Sequence, residues 1–309
     1  MLSAERHPHC FIFCGRHGIG KSKTAVNTIA GFFCDSKKGS PCGQCSSCRQ
    51  IYAGTHPDFY ALGPDDKGTI PLGNKDKKEE GTIRHLLNYL NGKSFSGKRG
   101  ILINKFECAN SAGMNALLKT IEEPSSGTLI ILTAASESSV LRTILSRSCV
   151  IRFSPLTVEE IMQIMESNDS TKEDKLFAAA ASGGSAKAAF EYLDSDRRNN
   201  LMTLCMDINN LLNTVSAATT DSLSFINGNY GYELIDGALS IYSYFLFNGE
   251  KIVSNSYLNE LYIDGHEALR SIIKMLLSVK KGSVRNLNPA YSLKSCLYGT
   301  AFKEICNEV

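Results

Sequence analysis

The chain has 309 residues, of which 43% are hydrophobic and 21% are charged, and this length is enough for a full hydrophobic core and predicts two or three domains. A formal net charge of +2 argues against a protein that binds nucleic acid over its whole surface. No apolar run approaches the ~20 residues of a membrane span, and the first residues, MLSAERHPHC, lack the apolar core of a signal peptide. We therefore expect a cytoplasmic protein that does not contact a membrane.

The first half of the chain alternates short apolar runs with helical patterns. This alternation predicts an α/β domain whose parallel, five-stranded sheet is covered by helices. The polar, glycine-rich segment 63–81 is predicted to be an exposed loop. Strands are predicted at Cys10–Cys14, 58–62, 100–103, 128–133 and 149–153, and helices at 24–33, 82–90 and 112–122.

The second half of the chain has a helical pattern only. Thr157 and Glu160 fit a capping box, and Gly183-Gly184 is predicted to end a helix. From about residue 196 onward the apolar spacing is helical, and Asn288-Pro289 is predicted to begin a last helix. We predict three domains, at 1–155, 156–198 and 199–309, of which the second is small and helical and the third is all-helical.

Residues 15–22, GRHGIGKS, fit the phosphate-binding motif G-x-x-x-x-G-K-[ST] in full, between a predicted strand and a predicted helix. The glycines let backbone N–H groups point at phosphate oxygens, while Lys21 can reach the β and γ phosphates and Ser22 can bind Mg²⁺. The alternatives are an intact loop that binds no nucleotide and a plain glycine-rich turn. His17 either contacts phosphate or faces solvent. The predicted nucleotide-binding residues near the loop are Gly15, His17, Gly18, Gly20, Lys21, Ser22 and Thr24.

The predicted strand 100–103 is followed by Asn104 and Lys105, where many nucleotide hydrolases carry two acids. Asn104 keeps the shape of a magnesium ligand but loses its charge, and a protonated Lys105 cannot act as a general base. The candidate replacements are Glu107, Glu122 and Glu123, although Glu107 lies two residues beyond the expected position. We therefore predict that this chain hydrolyses ATP poorly by itself.

Four of the eleven cysteines are spaced C-x₇-C-x₂-C-x₂-C, at Cys34, Cys42, Cys45 and Cys48. Two close pairs of thiolates suit tetrahedral Zn²⁺, and four sulfur ligands without histidine indicate a closed structural site. Disulfides and an iron–sulfur cluster are the alternatives, although disulfides are rare in a reducing compartment. We predict a structural zinc module at 34–48.

These motifs occur in the same order in subunits of the bacterial replicative clamp loader. They are the phosphate loop, a zinc knuckle one helix later, HPDF at 56–59 and NALLKTIEEPSS at 115–126. The chain resembles the delta-prime and gamma/tau subunits of DNA polymerase III, strongly over 8–153 and more weakly at 183–190 and 286–297. The resemblance implies an AAA+ P-loop domain, a helical lid and a helical collar that joins five subunits into a ring.

The resemblance also implies roles for single residues. TILSRS, at 143–148, is similar to the family's Ser-Arg-Cys motif, with Ser148 in place of the cysteine. Arg147 would then be an arginine finger that reaches the γ phosphate bound by a neighbouring subunit; an ordinary surface ion pair is the alternative. Lys187 stands where the family's second sensor is usually arginine, and Ala134-Ala135 stands where its first sensor is polar.

Three functions are compatible with these patterns. The first is a delta-prime-like subunit that binds ATP or ADP with Mg²⁺ but hydrolyses it poorly, supplies Arg147 in trans and scaffolds the ring. Its implied partners are the gamma/tau and delta subunits and, through the complex, the sliding clamp and primer–template DNA. The second is a gamma/tau-like ATPase motor that uses an unrecognised carboxylate. The third is a zinc-knuckle nucleic-acid-binding module with a vestigial phosphate loop, which the near-neutral charge disfavours.

Overall fold

In a computed structural model of the chain, the residues described are 8–36, 40–74, 79–213, 228–248, 255–263, 265–281, 288–289 and 292–293. The chain divides into two compact units, Met1–Ser154 and Pro155–Val309. Most of the predicted last helix after Asn288 and part of segment 286–297 lie outside the described residues. Among the helices that the structure describes, none is long and apolar enough to cross a membrane.

The first unit is built on a parallel sheet of five strands, which confirms the predicted sheet. The strand order is β2-β3-β4-β1-β5. Every residue of β1, β3 and β4 is buried, since strands in the middle of such a sheet are covered on both faces and are therefore apolar throughout. The strands are β1 (Cys10–Cys14), β2 (Phe59–Leu62), β3 (Arg99–Ile103), β4 (Thr128–Ala134) and β5 (Cys149–Arg152).

Helices pack on both faces of the sheet and create two separate cores. Ile12 of β1 contributes to one core, while Phe11 and Phe13 contribute to the other together with Ile29. The helices of this unit are α1 (Lys21–Phe33), α2 (Ser46–Tyr52), α3 (Ile83–Asn91), α4 (Ser111–Ala116), α5 (Leu118–Glu122) and α6 (Arg142–Leu145).

The helix predicted at 112–122 is interrupted at Leu117, which separates α4 from α5. The backbone N–H of Leu117 bonds to the Met114 carbonyl three residues back, at 3.2 Å, so the chain tightens there instead of continuing as one α-helix. Elsewhere α1 approaches β3 closely because Gly100 has no side chain. An added Cβ on Gly100 would lie 2.6 Å from Ile29 Cγ2.

The strand order places the phosphate loop after an inner strand of the sheet, next to the outer strand β5. The loop follows β1, which lies between β4 and β5, and β3 is the next strand beyond β4. The carboxyl ends of parallel strands meet at one edge, and ligands bind there in open α/β sheets. Residues that follow β1, β3 and β4 therefore come together at one edge of the first unit.

Every helix or strand that the structure describes in the second unit is a helix, as predicted. Thr157 and Glu160 form the predicted capping box, with Thr157 N–H donating to Glu160 Oε2 at 2.8 Å. Gly183 and Gly184 follow α8 with positive φ angles of 58° and 84°, so the predicted helix stop is confirmed. The helices are α7 (Val158–Ile164), α8 (Lys172–Ala181), α9 (Ala186–Glu191), α10 (Ser195–Asn213), α11 (Gly228–Asn248), α12 (Ser256–Leu261) and α13 (His266–Lys281).

One large core joins most of the helices of this second unit. Phe177 of α8 packs in the same buried cluster as Leu204 of α10, Tyr242 of α11 and Ile272 of α13. The cluster thus extends across residue 198, where the sequence suggests a boundary. The division of this unit into a lid at 156–198 and a collar at 199–309 stays a prediction.

Candidate functional site

The backbone of the phosphate loop depends on its glycines. Gly18 and Gly20 have φ angles of 79° and 93°, a left-handed conformation that glycine adopts without strain. An added Cβ on Gly15 would lie 2.6 Å from the Phe153 carbonyl oxygen, so no larger residue fits there. Gly15 N–H also donates to the Ala134 carbonyl at 3.1 Å, which ties the loop to the end of β4.

Lys21 is buried inside this loop. Its ammonium group donates hydrogen bonds to the carbonyl oxygens of Gly15, at 2.5 Å, and Arg16, at 2.6 Å. Burial lowers the pKa of Lys21, and the negative charge of Glu107 partly opposes that effect. The cation that would contact a phosphate is therefore already in place, although it is bonded to the loop's own carbonyls.

Ser22 and Asn104 are in direct contact. The Ser22 hydroxyl donates to Asn104 Oδ1 at 2.7 Å, and Asn104 N–H donates to the Leu62 carbonyl at 2.7 Å. The residue after β3 is thus brought to the loop, as the strand order requires. A hydroxyl and an amide oxygen are both hard ligands that Mg²⁺ accepts, but neither carries charge.

Lys105 adopts a left-handed conformation, with φ 49° and ψ 55°, which is uncommon for any residue other than glycine. Its N–H donates to Thr133 Oγ1 at 2.9 Å, and its side chain is exposed. The chain then enters a 3₁₀ turn, Phe106–Cys108. Glu107 in that turn lies near the loop, with Oε1 3.7 Å from His17 Nε2. The acid that the structure brings to the loop is therefore Glu107, whereas the side chain of Lys105 is exposed.

Two further predicted residues have simple surroundings. Thr24 is exposed on α1, and its N–H donates to the Gly20 carbonyl at 2.9 Å. Lys187 belongs to the second unit, is exposed and lies 3.5 Å from Glu191 Oε1, one helical turn away. The role of Lys187 as a second sensor stays a prediction.

Arg147 lies just after α6 on the surface of the first unit. Its Nε is 2.6 Å from Glu122 Oε1, and both side chains are 42% exposed. Its Nη1 also donates to the Thr143 carbonyl at 3.0 Å. Such a half-exposed ion pair contributes only ~0–1 kcal/mol to stability. The Arg147 guanidinium is therefore bound to Glu122 by a weak ion pair that solvent can reach.

The four clustered cysteines come together although they are spread over 34–48. Their sulfur atoms all lie within 4.8 Å of one another, and all four are free thiols. Backbone N–H groups of Cys42, Cys45 and Cys48 each lie 3.4 Å from the sulfur of the preceding cluster cysteine. Hydrogen bonds from Ser36 and, to a lesser extent, from Cys42 lower the pKa of Cys34 to about 6. The cluster can hold a metal ion, and four thiolates are a ligand set that suits Zn²⁺.

A family model described as DNA polymerase III, delta subunit, matches residues 1–157, which is just over half of the 309 residues. The chain belongs to the DNA polymerase III delta subunit family. The match covers the complete first unit with the phosphate loop, the cysteine cluster and Arg147.

Individual relatives of this delta-family chain match about half of its length. The DNA polymerase III subunit delta' of Pseudomonas aeruginosa is 33% identical over 153 residues, 49% of this chain and 44% of the relative. The tau subunit of Salmonella typhimurium is 30% identical over 167 residues, 53% of this chain and 24% of the relative. The chain thus spans about half the length, or less, of these curated relatives.

A solved structure that resembles most of the delta-family chain is a gamma subunit-related protein of DNA polymerase III from Thermotoga maritima. The likeness covers 95% of this chain and 94% of that one, at 17% identity and a TM-score of 0.44.

The site of this delta-family chain contains a polar residue that was not predicted to belong to it. This residue is Thr133, which lies in β4 as predicted, one residue before the observed strand end at Ala134. Its buried hydroxyl accepts from Lys105 N–H and lies 3.5 Å from Asn104 Oδ1. The signal in the sequence is a single polar residue after the apolar run 129–132. Thr133 therefore gives Asn104 a polar contact, although the two residues after Thr133 are the apolar Ala134 and Ala135.

Proposed function

We propose that this chain is a delta-prime-like subunit of the bacterial clamp loader, an AAA+ protein of the cytoplasm that hydrolyses ATP poorly. It completes the active site of a neighbouring subunit with Arg147 and scaffolds the ring that loads the sliding clamp onto primed DNA. Its partners are the gamma/tau and delta subunits, and it meets the clamp and the primer–template DNA through the complex.

The observation that carries this proposal is the hydrogen bond between Ser22 and Asn104. At this place the magnesium ligand expected after β3 is an amide, and the next side chain, Lys105, is cationic and exposed. An amide and a lysine supply neither the charge that Mg²⁺ prefers nor a general base for water. The phosphate loop itself is complete, so binding of ATP or ADP with Mg²⁺ is compatible with this arrangement.

The surroundings of Arg147 support its role in trans. The residue is half-exposed, lies at the end of a short helix, and is held by Glu122 through a contact that is easily exchanged. A planar, permanently charged guanidinium on a subunit surface suits the stabilisation of a γ phosphate bound next door. We also propose that the cysteine cluster holds one structural Zn²⁺ ion.

The test is reconstitution of the ring with the candidate motor subunit and the delta subunit, followed by clamp-stimulated ATPase. Arg147→Ala should leave assembly intact and slow turnover, by on the order of 10³ at the one site that the arginine completes. Arg152→Ala is the matched control, because Arg152 forms a similar exposed ion pair, with Nε 2.6 Å from Glu137 Oε1. Equal ATPase rates for the ring with wild-type chain and the ring with the Arg147 variant would refute the finger.

A gamma/tau-like motor is the second candidate, and the position of Glu107 favours it. This carboxylate lies near the loop and acts on Lys21, so an acid is present at the loop although it lies two residues beyond the expected position in the chain. Steady-state ATPase of the isolated chain separates the two candidates. Turnover that is brisk and lost with Lys21→Ala would favour the motor, whereas negligible turnover favours the delta-prime-like subunit.

A further inference from the structure

Glu107 is an acidic side chain that the phosphate-loop motif does not explain. Its side chain is only 16% exposed. Both carboxylate oxygens are buried, and within the described part of the chain neither accepts a hydrogen bond. Burying a carboxylate without hydrogen bonds is unfavourable, so such a group indicates a ligand that satisfies it.

The backbone around Glu107 is arranged to bring it to the loop. Lys105 is the sole non-glycine residue with positive φ among those described, and this conformation is held by the bond from its N–H to Thr133 Oγ1. The strained turn exposes Lys105 and directs Glu107 toward His17, at 3.7 Å. Strain of this kind persists only where the surrounding structure imposes it, and it is common at binding sites.

Ser22 and Asn104 offer two oxygen atoms of the kind that Mg²⁺ accepts, a hydroxyl and an amide oxygen 2.7 Å apart, and both are neutral. The acid beside the same loop is Glu107, whose Oε1 lies 3.7 Å from His17 Nε2 and whose charge acts on Lys21. A carboxylate oxygen is the anionic ligand that divalent cations prefer. Without a cation, the same carboxylate lies beside a loop whose ligand is itself an anion, and it repels that ligand.

We propose that Glu107 makes nucleotide binding by this chain depend on a divalent cation. The ligand is a magnesium-bound nucleoside diphosphate or triphosphate, whereas the metal-free nucleotide is repelled. The inference rests on the nucleotide loop of the proposed function and adds a residue to it. Glu107 thereby takes over the charge, though not the chain position, of the acid that Asn104 replaces.

The experiment measures the affinity of the full-length chain for ADP and ATPγS, each with Mg²⁺ and with EDTA, by titration calorimetry. The wild-type chain should bind the magnesium form at least tenfold more tightly. Glu107→Gln keeps the size of the side chain and removes its charge, so the metal-free nucleotide should bind at least tenfold more tightly than to wild type. The preference for the magnesium form should then largely disappear.

Glu80→Gln is the control, because Glu80 is an exposed glutamate before α3, and it should leave both affinities unchanged. Equal magnesium preference in the wild type and the Glu107 variant overturns the inference, as does a Glu107 variant that weakens both forms equally. If the variant does not fold, the wild-type chain alone decides. Equal affinities of the wild-type chain for the magnesium-bound and the metal-free nucleotide, or no binding of either form, overturn the inference. The role of Arg147 is measured separately in the ring, so the two proposals fail independently.

Discussion

At the scale of single residues, Asp58 is a buried acid whose function is structural. It is 2% exposed, and its carboxylate accepts hydrogen bonds from Phe95 N–H at 2.9 Å, Ser96 N–H at 2.7 Å and the Ser96 hydroxyl at 2.7 Å. Burial raises the pKa of Asp58, but the hydrogen bonds together lower it by more than burial raises it. The net pKa therefore lies below the usual 3.8. The acid of the HPDF segment therefore fixes the loop that precedes β3.

Asp58→Asn should lower the free energy of unfolding at pH 7 by about 2–4 kcal/mol, because the amide cannot accept all three bonds and one buried donor loses its partner. The native pKa lies below the unfolded value, so the carboxylate stabilises the fold above about pH 3.8 and that contribution is lost as the pH falls further. The difference between the variant and the wild type should thus shrink in acid. Urea unfolding at pH 7 and in acid measures both quantities.

Asp65→Asn is the control for this prediction. Asp65 also accepts backbone hydrogen bonds, from Lys67 at 3.0 Å and Thr69 at 2.9 Å, but it is exposed. Asp65→Asn should lower the free energy of unfolding by less than Asp58→Asn does, since water can replace the missing hydrogen-bond partner at an exposed site. Equal losses at the two positions would contradict the structural role of Asp58.

At the scale of elements, the cysteine cluster connects the end of one helix with the start of the next. Cys34 is the C-cap of α1, and Cys45 is the N-cap of α2, where its side chain accepts from Cys48 N–H. Cys48 is buried in the core that contains Ile51 of α2. A metal ion in this cluster would therefore fix both helix ends and a buried side chain at once.

Cys45→Ser should abolish metal binding while it preserves the helix cap, because serine offers an oxygen acceptor at the N-cap but not a thiolate. We expect the metal content to fall from one zinc per chain to nearly none, and the melting temperature to fall by about 5–10 °C. Elemental analysis and thermal melts check this. Cys149→Ser, which lies outside the cluster, should change neither the metal content nor the melting temperature. Iron in place of zinc would contradict the proposed site.

The predicted elements agree with the structure where burial alone determines them. The five strands lie within a residue or two of their predicted positions, because strands covered on both faces appear as apolar runs. The phosphate loop was equally evident, since its glycines are needed for its backbone. Glu107 is among the candidate acids of the sequence, and Thr133 lies in a predicted strand, but the contacts of these two residues at the loop are not predictable. Those contacts depend on a left-handed turn at Lys105, and a lysine gives no local signal for that conformation.

At the scale of the whole molecule, the known family and the candidate sites concentrate in one unit. The family match ends at residue 157, close to the division between the units at Ser154 and Pro155. The first unit has two cores of its own around the sheet, and the second has a large helical core. Each unit therefore buries its own apolar surface, which is the property expected of an independently folding domain.

A fragment of residues 1–154 should consequently fold in one cooperative transition and retain one zinc ion, as circular dichroism and elemental analysis would show. It should not enter the ring, because we assign assembly to the helical second unit. Gel filtration with the motor and delta subunits compares the fragment with the full-length chain, and clamp-stimulated ATPase provides an independent measure. If the fragment joined the ring and supported the same ATPase rate as the full chain, the first unit would contain the assembly surface, and the collar role of 199–309 would be wrong.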